Sequence, residues 1–151
     1  MNNIIVNPES NPELSRELES ILSDFTPTAD TRHRDNCITI AKELFNELMM
    51  NGYDSELVSG YFRVDNYYGW LDPDDFYPDQ RVEIMDRFGN LSRDSLERYV
   101  DSLPKTERDR YVCIPHVYLV LDNLILDAAS DMFSVEITPD RYLDEDGEQI
   151  I

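Results

Sequence analysis

Apolar residues recur along the chain with two periods, and the change of period marks the elements. Leu14, Leu18, Ile21, Leu22 and Phe25 fall on one face of a 3.6-residue repeat, predicting an amphipathic helix over residues 10–25. Asn11 is placed to cap it, with Pro12 at the first helical position. Cys37, Ala41, Leu44 and Leu48 stand at i, i+4, i+7 and i+11, predicting a second helix over 36–51 with an inward stripe that begins at a cysteine. Asp35 or Asn36 can cap that helix, and Gly52 can end it in the left-handed conformation. "SELVSGYFRV" (55–64) reads as a strand. "RYVCIPHVYLVL" (110–121) reads as another, its regular part starting at Pro115 or His116 because proline cannot donate to a central ladder.

Between these strands the pattern weakens. Residues 65–80 read as a loop carrying Tyr67, Tyr68, Trp70, Phe76 and Tyr77 among aspartates, prolines and a glycine. One or two short helices follow, the clearer at 92–103. After the second strand, Asp122-Asn123 suits a two-residue hairpin turn, because both residues tolerate positive φ. "LILDAAS" would form the returning strand, and "VEITPDRYLDEDGEQII" a last strand or a small acidic hairpin. The sum is an α+β fold in one domain, 1–151, a length that buries a real core and is short for two.

The composition narrows the classes. Apolar residues make up 41% of the chain, so a packed fold is expected, and no stretch approaches a membrane span. The first residues lack the charged and apolar regions of a signal peptide, which reads as cytoplasmic, without a membrane partner. Two cysteines make no disulfide framework. Thirty-two acidic residues oppose 13 basic ones, a net charge of −19 that repels polyanions and disfavours direct nucleic-acid binding. Three readings of that charge stand: an ordinary acidic protein, adaptation to high salt as the two lysines and the aspartate excess suggest, or a decoy imitating the charge of DNA.

Cys37 changes the picture further. At a helix N-terminus, the dipole and unpaired backbone N–H groups favour thiolate over thiol and can hold a developing oxyanion. A small inward cysteine can equally be plain core. In "HVYLVLDNLILD", a turn at Asp122-Asn123 pairs Leu121 with Leu124 and sets Tyr118 opposite Asp127. His116 and Asp127 are then diagonal neighbours on one face. An imidazole beside a carboxylate is the arrangement of an oriented general base. Asp131 is an alternative third member. His33, four residues before Cys37, can line the site or lie in solvent.

These residues resemble the transglutaminase-like superfamily, which has a papain-like fold. The family's first motif is a cysteine, alanine on the next turn, a leucine-rich helix, a glycine at its end and a strand of roughly V-x-G-Y; Cys37, Ala41, Gly52, Val58, Gly60 and Tyr61 match it. The second is a histidine followed by a strand, H-x-[WY], then a strand ending in aspartate; His116, Tyr118 and Asp127 match it in the family's chain order. Asp35-Asn36 stand where the family often has tryptophan or glycine. Residues at about 65–110 match neither motif and read as an insertion.

The resemblance implies a transglutaminase-like core, with the Cys37 helix packed on an antiparallel sheet carrying His116 and Asp127. It implies a cysteine hydrolase or transferase acting on a protein, peptide or other amide through a thioester, with Cys37, His116 and Asp127 catalytic. Peptidase, amidase, deamidase and transglutaminase activities are not distinguished. No metal or organic cofactor is called for, and the net charge favours a cationic substrate. Trp70, Tyr67 and Tyr68 are candidates for an aromatic substrate wall, or for packing the loop. Asp72, Asp74, Asp75 and Asp79 read as a solvated acidic loop or, less directly, as hard-cation ligands. Cys113 reads as core. The rival class is a non-catalytic acidic interaction protein, either an inactive member of this fold or a nucleic-acid-mimicking decoy.

Overall fold

The computed structural model describes residues 4–32, 36–64, 71–133 and 135–150, without the side chains at 105, 106, 109 and 110. His33, Asp35, Tyr67, Tyr68 and Trp70 lie outside the described residues. The described chain is α+β, with helices and a four-stranded sheet of order β3-β2-β1-β4. It divides into two compact units, one made of Met1–Phe62 with Pro115–Ile151, the other of Arg63–Ile114.

In the first unit, α1 (Pro12–Asp24) starts where the sequence places it. The Asn11 side chain accepts from the Leu14 amide at 3.3 Å, and Pro12 occupies the first turn. Leu14, Leu18 and Leu22 are buried, with Ile21 and Phe25 packed at their flank. Helix α2 (Cys37–Met50) buries Cys37, Ile40, Ala41, Leu44 and Leu48, and the chain leaves it through Gly52 at φ +87°. Leu44 and Leu48 meet the α1 leucines and four leucines of the sheet, Leu119, Leu121, Leu124 and Leu126, in one cluster. Each fully buried leucine contributes about 2–3 kcal/mol of transfer free energy.

The sheet supplies the other layer. Strand β1 (Glu56–Arg63) alternates exposed and buried residues, turning Gly60 and Phe62 inward. Strand β2 (Cys113–Leu121) is central and almost wholly buried from His116 to Leu121. It turns back into β3 (Leu124–Leu126) through Asp122 and Asn123, at φ 43° and 70°, with Leu121 opposite Leu124 and Leu119 opposite Leu126. That is the primed hairpin turn expected of two residues tolerating the left-handed region. The outer side of β3 is covered by the N-terminal segment. Val6 donates to Ile125 O at 2.9 Å, and the buried Asn7 side chain accepts from the Ile125 amide at 2.8 Å while donating to Asn123 O at 2.8 Å. This closes an edge that would otherwise offer unpaired amides.

On the far side, β4 (Tyr142–Leu143) pairs antiparallel with β1, Phe62 opposite Tyr142 and Tyr61 opposite Leu143. A tight turn then brings Gln149 back against Leu143. Asp144 holds the turn, its Oδ1 accepting from the amides of Asp146 and Glu148 at 2.9 and 3.0 Å, while Gly147 sits at φ +80°. The acidic run 144–148 is therefore turn chemistry.

The second unit departs from the sequence reading. Where one or two helices were expected there are three: α3 (Pro78–Phe88), α4 (Arg93–Asp101) and α5 (Lys105–Val112). Helix α5 takes residues assigned to the start of the second strand, and β2 begins at Cys113, with Pro115 inside it and exposed. "KTERDRYV" carries apolar residues only at its end, so its helical period was invisible; Pro104, just before it, starts the helix. Cys113 is half-buried rather than core. The loop aspartates have local work: Asp72 and Asp75 cap a 3-10 turn at Pro73–Asp75, Asp72 Oδ1 accepting from Asp74 N and Asp75 Oδ2 from Asp72 N. Among the described residues no group of three or more acidic, histidine or cysteine side chains could hold a metal ion. Leu71, Phe76, Ile84, Leu96, Tyr99 and Val100 form this unit's core, with Phe76 stacked on Tyr111 at 4.9 Å. No helix among the described residues is long and apolar enough to cross a membrane.

Gly60 on β1 lies directly against the backbone of β4. A Cβ built there would collide with Leu143 O and stand 3.0 Å from its carbonyl carbon, which are backbone atoms that cannot swing away. Gly60→Ala should therefore force β1 and β4 apart and cost about 3 kcal/mol or more in urea unfolding. The same change at Gly52, where nothing lies within 4 Å but φ is positive, should cost only about 1 kcal/mol. Equal losses at the two positions would show that the β1–β4 contact is not tight.

Candidate active site

The sequence distributes Cys37, His116 and Asp127 over α2, β2 and the residue following β3, and the fold brings them together. His116 Nε2 and Asp127 Oδ2 are 2.8 Å apart, and both side chains are buried, with His116 1% and Asp127 3% exposed. A carboxylate can only accept, so Nε2 carries the hydrogen and the neutral ring presents Nδ1 as its base. Nδ1 has no hydrogen-bond partner among the described residues, and the Cys37 thiol lies near enough to the ring for each group to shift the other's ionisation.

Cys37 is 6% exposed, in a cluster with Ile40, Ala41, Val117 and Ala129, flanked by Ala29, Ala128 and Met132. All four alanines of the chain pack in or against this cluster. Burial pushes the thiol up. The nearby His116 ring, the Val117 amide donating to the sulfur, and the charge of the imidazolium together outweigh that burial and bring it below its ordinary value of 9.0. Of the two expected caps of α2, Asp35 lies outside the described residues. Asn36 occupies the cap position, but its side chain donates to Asp30 O at 3.0 Å and makes no capping bond. The first-turn amides of α2 are thus not occupied by that side chain.

His116 is titrated upward to about 9. Burial disfavours its charge, but the Asp127 carboxylate, through charge and hydrogen bond, and the Cys37 thiol more than reverse that. The ring is enclosed by aromatic side chains: Phe133 edge-on at 5.0 Å, Phe62 edge-on at 6.1 Å, and Tyr118 and Tyr142 at 6.1 and 6.3 Å. Asp127 is anchored on every side. Its Oδ1 accepts from the Ala129 amide at 3.0 Å, its Oδ2 also accepts from the Tyr142 hydroxyl at 2.6 Å, and its own amide donates to Ile4 O at 2.8 Å. Asp131, the alternative third member, is exposed and accepts from Thr31 Oγ1 at 2.7 Å, so the partner of His116 is Asp127.

Tyr142 and Ile4 were not singled out by the sequence. Tyr142 lies 15 residues beyond Asp127 in a segment read only as a strand or acidic hairpin, and nothing local marks its hydroxyl as inward. Its burial and the Asp127 charge push its phenol strongly up, so it remains a neutral donor. A short aromatic strand pointing back toward the hairpin was the available signal.

The proton count gives a test of the pair. His116, raised to about 9 in the folded state, contributes stability present below about pH 6.5 and lost as pH rises through 9. Cys37, lowered, contributes stability present above its unfolded value and lost as pH falls through its folded one. Where folded Cys37 is a thiolate and His116 an imidazolium, the native pair holds the same number of protons as the unfolded neutral pair. The two slopes then cancel. Cys37→Ala removes one of them but leaves Asp127 holding His116. Its stability should fall between pH 6.5 and 9 by up to about 1.4 kcal/mol per pH unit, while the parent stays nearly flat. Parallel pH curves for the two proteins would contradict an ion pair.

Neither a family model, nor a curated protein, nor a solved structure matches the chain.

Proposed function

We propose that this protein is a thiol-dependent acyl-transfer enzyme on a transglutaminase-like, papain-like core. The observation that supports the reading best is the buried His116, fixed by Asp127 on Nε2, with Nδ1 left without a hydrogen-bond partner among the described residues and the nearby Cys37 thiol brought below its ordinary value. A structural cysteine needs no such partner; a nucleophile does.

In this reading the Cys37 thiolate attacks the carbonyl carbon of an amide. The C–S bond forms, and the carbonyl electron pair moves to oxygen, where first-turn amides of α2 stabilise it. The electron pair returns, the C–N bond breaks, and the His116 imidazolium delivers its Nδ1 proton to the departing amine. A thioester on Cys37 remains. Water or an amine then attacks, His116 takes the attacking group's proton, and the C–S bond breaks to restore the thiolate and imidazolium. Asp127 stays ionised and holds the ring. With −19 overall, the field favours cationic or amine-bearing substrates at low ionic strength.

The burial of the site favours a second reading. With Cys37 6% and His116 1% exposed, the cluster could serve only as a polar lock within an acidic interaction protein. Alkylation by iodoacetamide separates the two. At pH 6 a thiolate at Cys37 should react on the order of ten- to a hundredfold faster than Cys113, and His116→Gln should remove that advantage. Equal, slow labelling of both cysteines would refute the enzyme and leave the lock.

A further inference from the structure

Three donors converge on Asp127, and the one side chain among them that has no part in the reaction described is Tyr142. Tyr142 is fully buried, and its hydroxyl donates at 2.6 Å to Oδ2, the same oxygen that receives His116 Nε2–H at 2.8 Å. A carboxylate oxygen shared by two donors gives each less of its charge than one donor would receive alone. The other oxygen is already taken by the Ala129 amide. The Tyr142 ring also packs on its neighbours, edge-on to Phe62 at 5.2 Å and to Tyr118 at 5.0 Å, so the hydroxyl cannot turn away without repacking aromatic side chains.

The strand that carries Tyr142 is held with equal tightness. Tyr118 OH donates to Leu143 O at 2.7 Å, and Gly60 lies flush against that same carbonyl. Tyr118 stands two residues from His116 on β2. The backbone next to Tyr142 is therefore pinned by the strand that carries the histidine.

We infer that Tyr142 is a positioning residue that, by occupying part of Asp127 Oδ2, limits how firmly the carboxylate holds the proton on His116. The inference takes its functional meaning from the acyl-transfer reading. An imidazolium held too firmly forms an ion pair readily but surrenders its proton poorly to a departing amine, so the shared hydrogen bond trades one task against the other. The titratable groups facing His116 among the described residues are Cys37 from α2, Asp127 beyond β3, Tyr118 from β2 and Tyr142 from β4, with Asp144 acting on Tyr118 from the turn after β4. Removing one hydroxyl leaves the others in place.

The test is Tyr142→Phe, which keeps the ring and deletes the donor. With two histidines in the chain, His33 and His116, the His116 imidazole is assigned in NMR titrations by comparison with His33→Gln. The expected result is a rise in the His116 titration midpoint, its proton held about three- to tenfold more tightly. The alkaline limb of Cys37 alkylation should move up with it. 3-Fluorotyrosine in place of Tyr142, a stronger donor of unchanged shape, should lower the midpoint and covers the case in which Tyr142→Phe does not fold. An unchanged midpoint, or a shift in the opposite sense in either variant, overturns the inference and leaves Tyr142 as packing. The titration needs no turnover. Slow parent labelling of Cys37 would thus sink the acyl-transfer reading without touching this result.

Discussion

A charged carboxylate withdrawn from water sets the terms for the first unit. Burying an ionised group costs several kcal/mol even after relaxation, unless its lone pairs are met by well-placed donors. Asp127 is 3% exposed, and its donors come from three different elements: His116 on β2, Tyr142 on β4 and the Ala129 amide in the loop after β3. Its amide is fixed in turn by Ile4 O. None of these elements can shift independently without leaving the charge short of a partner. The short strand β4, two residues long, is retained in a sheet that would not hold it by backbone pairing alone.

The same carboxylate links packing to chemistry. It holds His116 in one tautomer and raises it, and the raised imidazole in turn favours the Cys37 thiolate at the first turn of α2. The leucine layer between α1, α2 and the hairpin fixes where that first turn lies, because Cys37 and Leu48 share a stripe. Apolar burial thus sets the position of the sulfur, and the buried charge sets its ionisation.

What the sequence disclosed follows the range of the interactions. Helices α1 and α2, the Asn11 cap, the left-handed Gly52 and the Asp122-Asn123 turn are local matters, settled within a few residues, and were legible. The hairpin register then carried His116 and Asp127 to one place without further information. The Arg63–Ile114 unit was poorly legible because its helices are short and strongly polar, and α5 hides its few apolar residues at the end, where they merge with the strand. Tyr142, Ile4 and Asn7 were illegible for another reason: each bonds to the hairpin or to Asp127 just beyond it from a position that no periodicity distinguishes, Ile4 and Asn7 from the far end of the chain. Of the two caps the sequence offered for α2, Asp35 lies outside the described residues, and Asn36 stands at the cap position with its side chain turned to donate to Asp30 O.

Chain order gives the β4 contact a further meaning. A polypeptide emerging from the ribosome presents Cys37 more than a hundred residues before Tyr142. At synthesis rates of about 5–20 residues per second, that separation is on the order of ten seconds. The hairpin is complete only about 15 residues before Tyr142. For the last roughly one to three seconds, therefore, α1, α2 and the hairpin can collapse on their leucines while Asp127 lacks one of its donors and His116 one wall of its aromatic enclosure. The nascent protein therefore holds a thiol whose ionisation is not yet fixed, and acquires its final acid–base character only when a late two-residue strand settles beside Gly60.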